Sequence, residues 1–412
     1  MSRILTLVAF GLALNGVMAQ DLVISDARIV DGAGTTIEQG YIAVSDGRIA
    51  SVAEGATDAA AAVRIDAAGM TVMPGLIDTH RHIIGTVDSE EALQIWLDEQ
   101  APETMHAFLV GGFTTVLSPG DNTSGILELR RRLQDGEIAG PRLLVSGGVF
   151  RAPNDRGCKN DFCLANANFI SGPEQAREKV RVAAAAGVDV VKATLDAGGP
   201  LGPVPTIDAE TLAAVTDEAR QQGVVPIVHA ITVQDMITAV EAGASRLVHT
   251  PLLESVVGTE AGRVAREAGV AVSTTIGWPL PEFDDNNQPH HHVVAGYPPY
   301  MVTMAGQVVS NGRHLWDEGV ILAFGTDTAL EPAAALAHEV KALAPLFSPG
   351  DIIAMLTRNG AVYLNLEDEI GTLEPGKAAD IVIVDGDPLS DISALANVAV
   401  VIRSGEVVVD NR

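Results

Sequence analysis

Two histidines flank one arginine at the end of an apolar run, "GLIDTHRHII" (Gly75–Ile84). In a strand, residues two apart point to one face, so His80 and His82 can aim two imidazoles at a single point. Four later apolar runs carry residues that could join them: "VDVVKA" has Lys192, "VVPIVHA" has His229, "SRLVHT" has His249 and "ILAFGTDT" has Asp327. Each alone is a weak signal. A lone imidazole in an apolar run is usually a hydrogen-bonded core residue, and a lone buried lysine or aspartate is usually half of an ion pair. The joint pattern is different, because burying a lysine and an aspartate at matching strand ends is costly unless something neutralises them, and a bound dication does so. A second H-x-H pair, His290–His292, lies in a Pro/Asn-rich stretch with no strand before it.

The elements that must position these residues repeat one rhythm. An alanine-rich amphipathic helix ends at a glycine and a β-branched run follows at once, in "FLVGGFTTVLS", "AAAAGVDVVKA", "RQQGVVPIVHA", "VEAGASRLVHT", "AREAGVAVSTT" and "WDEGVILAFGTDT". Glycine just past the last helical turn is the expected C-terminal cap. Continuously apolar short runs are what strands buried on both faces require. With "VMPGLIDTH" and "PRLLVSGG" the chain offers eight candidate parallel strands, beginning near residues 72, 114, 141, 188, 224, 246, 271 and 320. That spacing predicts a (β/α)₈ barrel, whose catalytic groups gather at the C-terminal ends of the strands. The other arrangement weighed, an open doubly wound sheet, has no G-x-G-x-x-G after its first strand to support a dinucleotide site. Helices are predicted over Asp208–Gln222, with Asp208 as N-cap, and over Ser348–Leu366, with Ser348 as cap and Pro349 in the first turn.

The two ends read differently. "LVISDARIV", "YIAVSDGRIASV", "ADIVIVDGDP" and "VAVVIRSGEVVV" are strand-like, with hairpin signals at Asp46-Gly47 and Ser404-Gly405. They predict one small β domain built from both termini: residues 20–73 and 369–412, bracketing a barrel over 74–368. Before them, "MSRILTLVAFGLALNGVMAQ" has a short apolar run and a small-residue cleavage pattern at Val17-Met18-Ala19. Residues 1–19 are read as a secretory signal peptide, too short to span a bilayer, so the expected location is periplasmic or secreted. Export implies an oxidising compartment, where Cys158 and Cys163 in "RGCKNDFC" could close a small disulfide or remain two free thiols.

With 26 basic and 53 acidic residues, the chain has net charge −27, which argues against nucleic acid and anionic membrane surfaces as partners. The expected partner is a small-molecule substrate. Its 412 residues, 47% of them apolar, can build a large core unaided.

The motifs "PGLIDTHRH", "GVDVVKA", "IVHA", "LVHT", "FGTDT" and "IGTLEPGKAADIVIVDGDPLSDI", in this order, resemble the amidohydrolase superfamily, and most closely its binuclear, imidazolonepropionase/prolidase-like branch. The resemblance runs from about Asp21 to Arg412. It implies a distorted (β/α)₈ TIM barrel with a small β-sandwich formed by the N- and C-terminal segments. It also implies two divalent metal ions, one held by His80, His82 and Asp327 and the other by His229 and His249. Lys192 is implied to be N-carboxylated by CO₂ and to bridge both ions, since a free ammonium has no lone pair to offer. Imidazole and carboxylate ligands suit zinc, with manganese, cobalt or iron as other options. The implied reaction is hydrolysis of a C–N bond by a metal-bridging hydroxide, with Asp327 shuttling the proton. Deaminases of the superfamily usually carry H-x-x-E after the fifth strand; here the segment is His229-Ala230-Ile231-Thr232, which disfavours deamination.

Export and this chemistry together suggest dipeptides or N-acyl amino acids as substrates, with cyclic amides, lactones or phosphoesters as the alternative for the same centre. A third reading, a barrel that has lost catalysis and serves in assembly, fits poorly with a full ligand set. Oligomer formation is common among such proteins. Arg151, Arg156 and Lys159 follow the third strand and could meet a substrate carboxylate. His290–His292 and Tyr297 lie in a long aromatic segment suited to a lid. His338 is expected to be structural, and Arg81 to point away from the metals.

Overall fold

A computed structural model describes residues 20–153, 167–195, 205–280 and 299–412. Residues 1–19, expected to be a signal peptide, and Cys158, Cys163, Arg156, Lys159, His290–His292 and Tyr297 lie outside the described residues.

Eight parallel strands form the barrel: Leu76–Asp78, Phe113–Ser118, Arg142–Val145, Val190–Leu195, Val225–Ala230, Arg246–Val248, Ala271–Ser273 and Ile321–Ala323. The glycines that close the preceding helices, among them Gly187, Gly223, Gly243, Gly269 and Gly319, all have φ between 67° and 89°, the left-handed conformation a C-terminal helix cap demands. Strands two and three continue the first, and strands four to eight form a second ladder. Two seams join these ladders. The Thr79 amide donates to the Phe324 carbonyl at 3.0 Å between strands one and eight. Between strands three and four, the Asp189 amide donates to the Val145 carbonyl at 2.9 Å, while the Asp189 carboxylate accepts from the Val145 amide at 2.9 Å. A short extra strand, Phe150–Arg151, pairs with strand four at Ala193 and distorts the barrel there.

The terminal segments build one hydrogen-bonded network of eight strands. The long strand Gln20–Val30 pairs with Thr36–Ser45 on one side, and on the other with Ala61–Asp66 and then Thr71–Pro74. Thr71–Pro74 hands the network to Ile381–Val384, so both chain ends share one core of Ile24, Ile29, Ile42, Val72, Ile383 and Ile402. At Asp46-Gly47 and Ser404-Gly405 both turn residues have positive φ, as two-residue hairpins require.

Two sequence expectations change. The run predicted to begin near residue 72 is two strands: Thr71–Pro74 belongs to the terminal sheet, and the barrel strand starts only at Leu76. Gly75 is the switch. Its amide donates to the Asp380 carbonyl at 2.8 Å, and a Cβ there would lie 2.1 Å from Thr114 Oγ1. The helix predicted over Ser348–Leu366 is also two, Pro349–Leu356 and Arg358–Leu364. Ser348 and Asp351 form a capping box at its start, but the Thr357 hydroxyl donates to the Ile353 carbonyl at 2.6 Å and Thr357 leaves helical geometry. The second piece then packs Gly360 onto Ile77 of strand one. Asp208 caps Ala209–Gln221 as expected, accepting from the Thr211 amide at 2.7 Å.

Replacing Gly75 by alanine should lower stability by about 1–3 kcal/mol, since strands one and two must separate to admit the methyl group. Urea unfolding with an unchanged midpoint in Gly75→Ala would show that the close approach to Thr114 is not as described.

Candidate metal centre

The strand ends bring the sequence-predicted side chains into one cluster. His80 and His82 follow strand one, Lys192 lies on strand four, His229 on strand five, and His249 and Asp327 follow strands six and eight. His80 Nε2 and His82 Nε2 lie 3.5 and 3.6 Å from Asp327 Oδ1, and His249 Nε2 lies 3.8 Å from Asp327 Oδ2. Lys192 Nζ is 3.2 Å from His80 Nε2. The His229 and His249 rings meet edge-on with centroids 4.5 Å apart, and the His80 ring is 5.4 Å from those of both His82 and His249. The ladder of strand one stops at Asp78, so the convergence of His80 and His82 owes more to the bonds around them than to strand alternation.

Those bonds come from groups that sequence reasoning missed. Asp78 is buried and accepts from the His80 amide at 3.0 Å, the Thr326 amide at 3.2 Å and the Thr326 hydroxyl at 2.7 Å. With the Asp327 amide donating to the His80 carbonyl at 2.9 Å, it locks the ends of strands one and eight together. Asp121 does the same for strands one and two, accepting from the Ile83 amide at 2.7 Å, the Gly85 amide at 3.1 Å and Ser118 Oγ at 2.7 Å. Asp78 could have been suspected from its place in "LIDTH", but nothing local marks Asp121.

The electrostatics suit a metal. Burial, then the nearby Lys192 charge, holds the His80 imidazole well below its usual range and brings His229 down to about 3. Burial, then His229, depresses His249. All three are therefore neutral at pH 7, with lone pairs available. Burial pushes Asp327 up despite His82 and Lys192, and brings Lys192 down to about 8. The hydrogen bonds also orient the rings. His82 Nδ1 donates to the Gly120 carbonyl at 3.1 Å, and His249 Nδ1 meets Thr275 Oγ1 at 2.6 Å, so in each ring Nε2 faces Asp327. Among the described residues, the ligand atoms of His80, His82 and Asp327 all lie within 4.8 Å of one another. The donor set of imidazoles and a carboxylate therefore fits a divalent metal ion.

Backbone conformation marks the same place. His249, Thr275 and Asp327 have φ of 71°, 45° and 46°, in the left-handed region that non-glycine residues seldom occupy. Arg81 turns aside: its guanidinium donates to the Leu330 carbonyl and to Thr326 Oγ1, and lies 5.7 Å from the centroid of the Phe108 ring. His338 Nε2 donates to the Gly277 carbonyl at 3.0 Å, a structural contact. Arg151, on its short strand beside strand four, is close enough for its charge to depress both Lys192 and His229.

A Cβ at Gly120 would fall 2.8 Å from His82 Cε1 and 2.8 Å from Val149 Cγ2. Gly120→Ala should therefore displace the His82 ring and weaken zinc binding roughly 10- to 100-fold, read by competition with a chelator. In the parent protein, zinc at about 100 times its Kd should add about 2.7 kcal/mol to stability, and this gain should vanish in His80→Ala.

Comparison with known proteins places this centre in a family. The model of the amidohydrolase family matches residues 71–408. The chain is 26% identical to 5-methylthioadenosine/S-adenosylhomocysteine deaminase of Symbiobacterium thermophilum, over 88% of this chain and 86% of that protein. It is 24% identical to imidazolonepropionase of Alkaliphilus metalliredigens, over 91% of each. Among solved structures, a Xaa-Pro dipeptidase with bound methionine in the active site superposes with a TM-score of 0.77 at 25% identity, over 94% of this chain and 99% of that one. The chain thus belongs to the amidohydrolase family of metal-dependent hydrolases acting on carbon–nitrogen bonds, and its His80, His82 and Asp327 form a group able to hold a metal ion.

Proposed function

We propose that this protein is an exported binuclear amidohydrolase that cleaves the amide or peptide bond of a small substrate, such as a dipeptide or an N-acyl amino acid. The observation that carries the reading is the position of Lys192. Its Nζ touches His80 Nε2 at 3.2 Å inside a ring of imidazoles, and among the described residues no carboxylate lies within 4 Å of it. An ammonium there opposes metal binding by His80. Carboxylation by CO₂ would remove that conflict, because it would convert the cation into a two-oxygen anion able to join the neighbouring imidazoles and Asp327 in holding divalent ions. Burial, which brings this amine down to about 8, favours the neutral form that reacts with CO₂.

His80, His82 and Asp327, with His229 and His249, would hold divalent ions, zinc being the best match, which when bound would activate a water and polarise the scissile carbonyl. The chain's own groups do the rest. Asp327 is partly open to the cavity and burial raises its basicity, so Oδ1 or Oδ2 can take the water's proton and deliver it to the leaving nitrogen. His82 and His249, fixed through Gly120 and Thr275, keep that carboxylate in place. The Arg151 charge beside Lys192 and His229 suits a substrate with a carboxylate, in line with the methionine bound by the structurally similar dipeptidase. Similarity to imidazolonepropionase favours a cyclic amide as the second reading. Deamination is disfavoured by Thr232 where those enzymes usually carry glutamate.

The test is a screen of N-acyl amino acids, dipeptides, cyclic amides, lactones and phosphoesters with protein prepared in zinc and bicarbonate. Lys192→Ala should lose at least about 1000-fold in kcat/KM, a loss of about 4 kcal/mol, and short carboxylic acids should restore part of it. Full activity and metal content in that variant would refute the bridging role, and turnover of ring substrates alone would favour the second reading. Export rests on residues 1–19, and the mature protein should begin at Gln20, as N-terminal sequencing of secreted material would read.

A further inference from the structure

Glu339 lies on the helix Pro332–Leu343 that follows strand eight, is 1% exposed, and has no ion-pair partner among the described residues. Its carboxylate accepts the Ile276 amide at 2.7 Å and the Gly277 amide at 2.5 Å, and bonds Thr274 Oγ1 at 3.2 Å. Burial pushes it up to about 8, so this acid is kept at a cost that ordinary core packing does not require. The residue enclosed by these contacts is Thr275, itself fully buried and left-handed at φ 45°. A β-branched residue there is strained and persists only where its neighbours hold it. Thr275 Oγ1 in turn meets His249 Nδ1 at 2.6 Å, and His249 is also left-handed.

We infer that Glu339 is a positioning residue for the metal centre: by gripping Thr274, Ile276 and Gly277 it holds Thr275 in its left-handed conformation, and Thr275 fixes the His249 ring with Nε2 toward Asp327. A helix outside the barrel thereby sets the orientation of a strand-six imidazole through the strand-seven exit. His338, the preceding residue on the helix, adds its own bond to the Gly277 carbonyl at 3.0 Å. The inference rests on His249 being a metal ligand.

Zinc affinity and stoichiometry, measured by chelator competition and elemental analysis alongside thermal unfolding, test it without recourse to turnover. In Glu339→Gln the side chain keeps its size, but one oxygen becomes an NH₂ that faces an amide donor. That variant should bind one zinc roughly 10- to 100-fold more weakly. Thr275→Val should lose as much, Thr275→Ser should bind like the parent, and Glu339→Gln/Thr275→Val should be no worse than the poorer single variant. Parent-like binding in Glu339→Gln or Thr275→Val, while His249→Ala loses zinc, would overturn the inference. So would losses that multiply in the double variant. If Glu339→Gln does not fold, Glu339→Asp, which draws the carboxylate back from Ile276 and Gly277, takes its place: roughly 10- to 100-fold weaker zinc binding supports the inference and parent-like binding overturns it. Parent-like binding in His249→Ala would instead overturn the ligand assignment, and the inference with it.

Discussion

A lysine, three imidazoles held neutral and a carboxylate share one largely buried space at the mouth of the barrel, and the rest of the molecule is arranged around that fact. Lys192, His80 and His249 are at most 6% exposed. Burial shifts the lysine and the aspartate each toward its neutral form. Such a cluster is unstable as a set of isolated charges and becomes favourable when a cation accepts the lone pairs gathered there. The His80–His82–Asp327 group, with its ligand atoms within 4.8 Å of one another, is where such a cation would sit.

The barrel meets this constraint by tying adjacent units together with buried carboxylates. Asp78 joins strands one and eight, Asp121 joins strands one and two, and Glu339 joins the exit of strand seven to the helix after strand eight. Each accepts backbone amides at the point where a chain leaves its ladder and its amides would otherwise be orphaned. The imidazoles inherit their orientation from these contacts. The left-handed residues His249, Thr275 and Asp327 sit where the chain must turn abruptly inward, and the surrounding hydrogen bonds hold conformations that short peptides would abandon.

The terminal sheet contributes at a distance. Gly75 passes the chain from that sheet into strand one within a single residue, so the strand that leads to His80 and His82 is anchored at its start by Asp380 from the far end of the sequence. The barrel and the sheet are also joined by the Arg142–Asp380 ion pair at 3.3 Å. Arg142 opens strand three, and Asp380 also accepts the Ser404 amide at 2.7 Å beside the C-terminal hairpin.

The sequence by itself determined what depends on neighbours along the chain. The helix–glycine–strand rhythm is local because a helix cap needs a left-handed residue at one position, and the hairpins at Asp46-Gly47 and Ser404-Gly405 are local for a similar reason. The polar residues ending the apolar runs were legible because a strand buried on both faces tolerates such residues only where they serve a purpose. Tertiary structure decided whatever depends on residues that meet only after folding. It split the run around Gly75, because Thr114 leaves no room for a side chain there, and it broke the helix at Thr357. It turned Asp78, Asp121 and Glu339 from unremarkable acids into the supports of the site. Hydrogen bonds between residues as far apart as Asp78 and Thr326, or Ile276 and Glu339, leave no period or spacing in the sequence, since they are fixed by closure of the barrel.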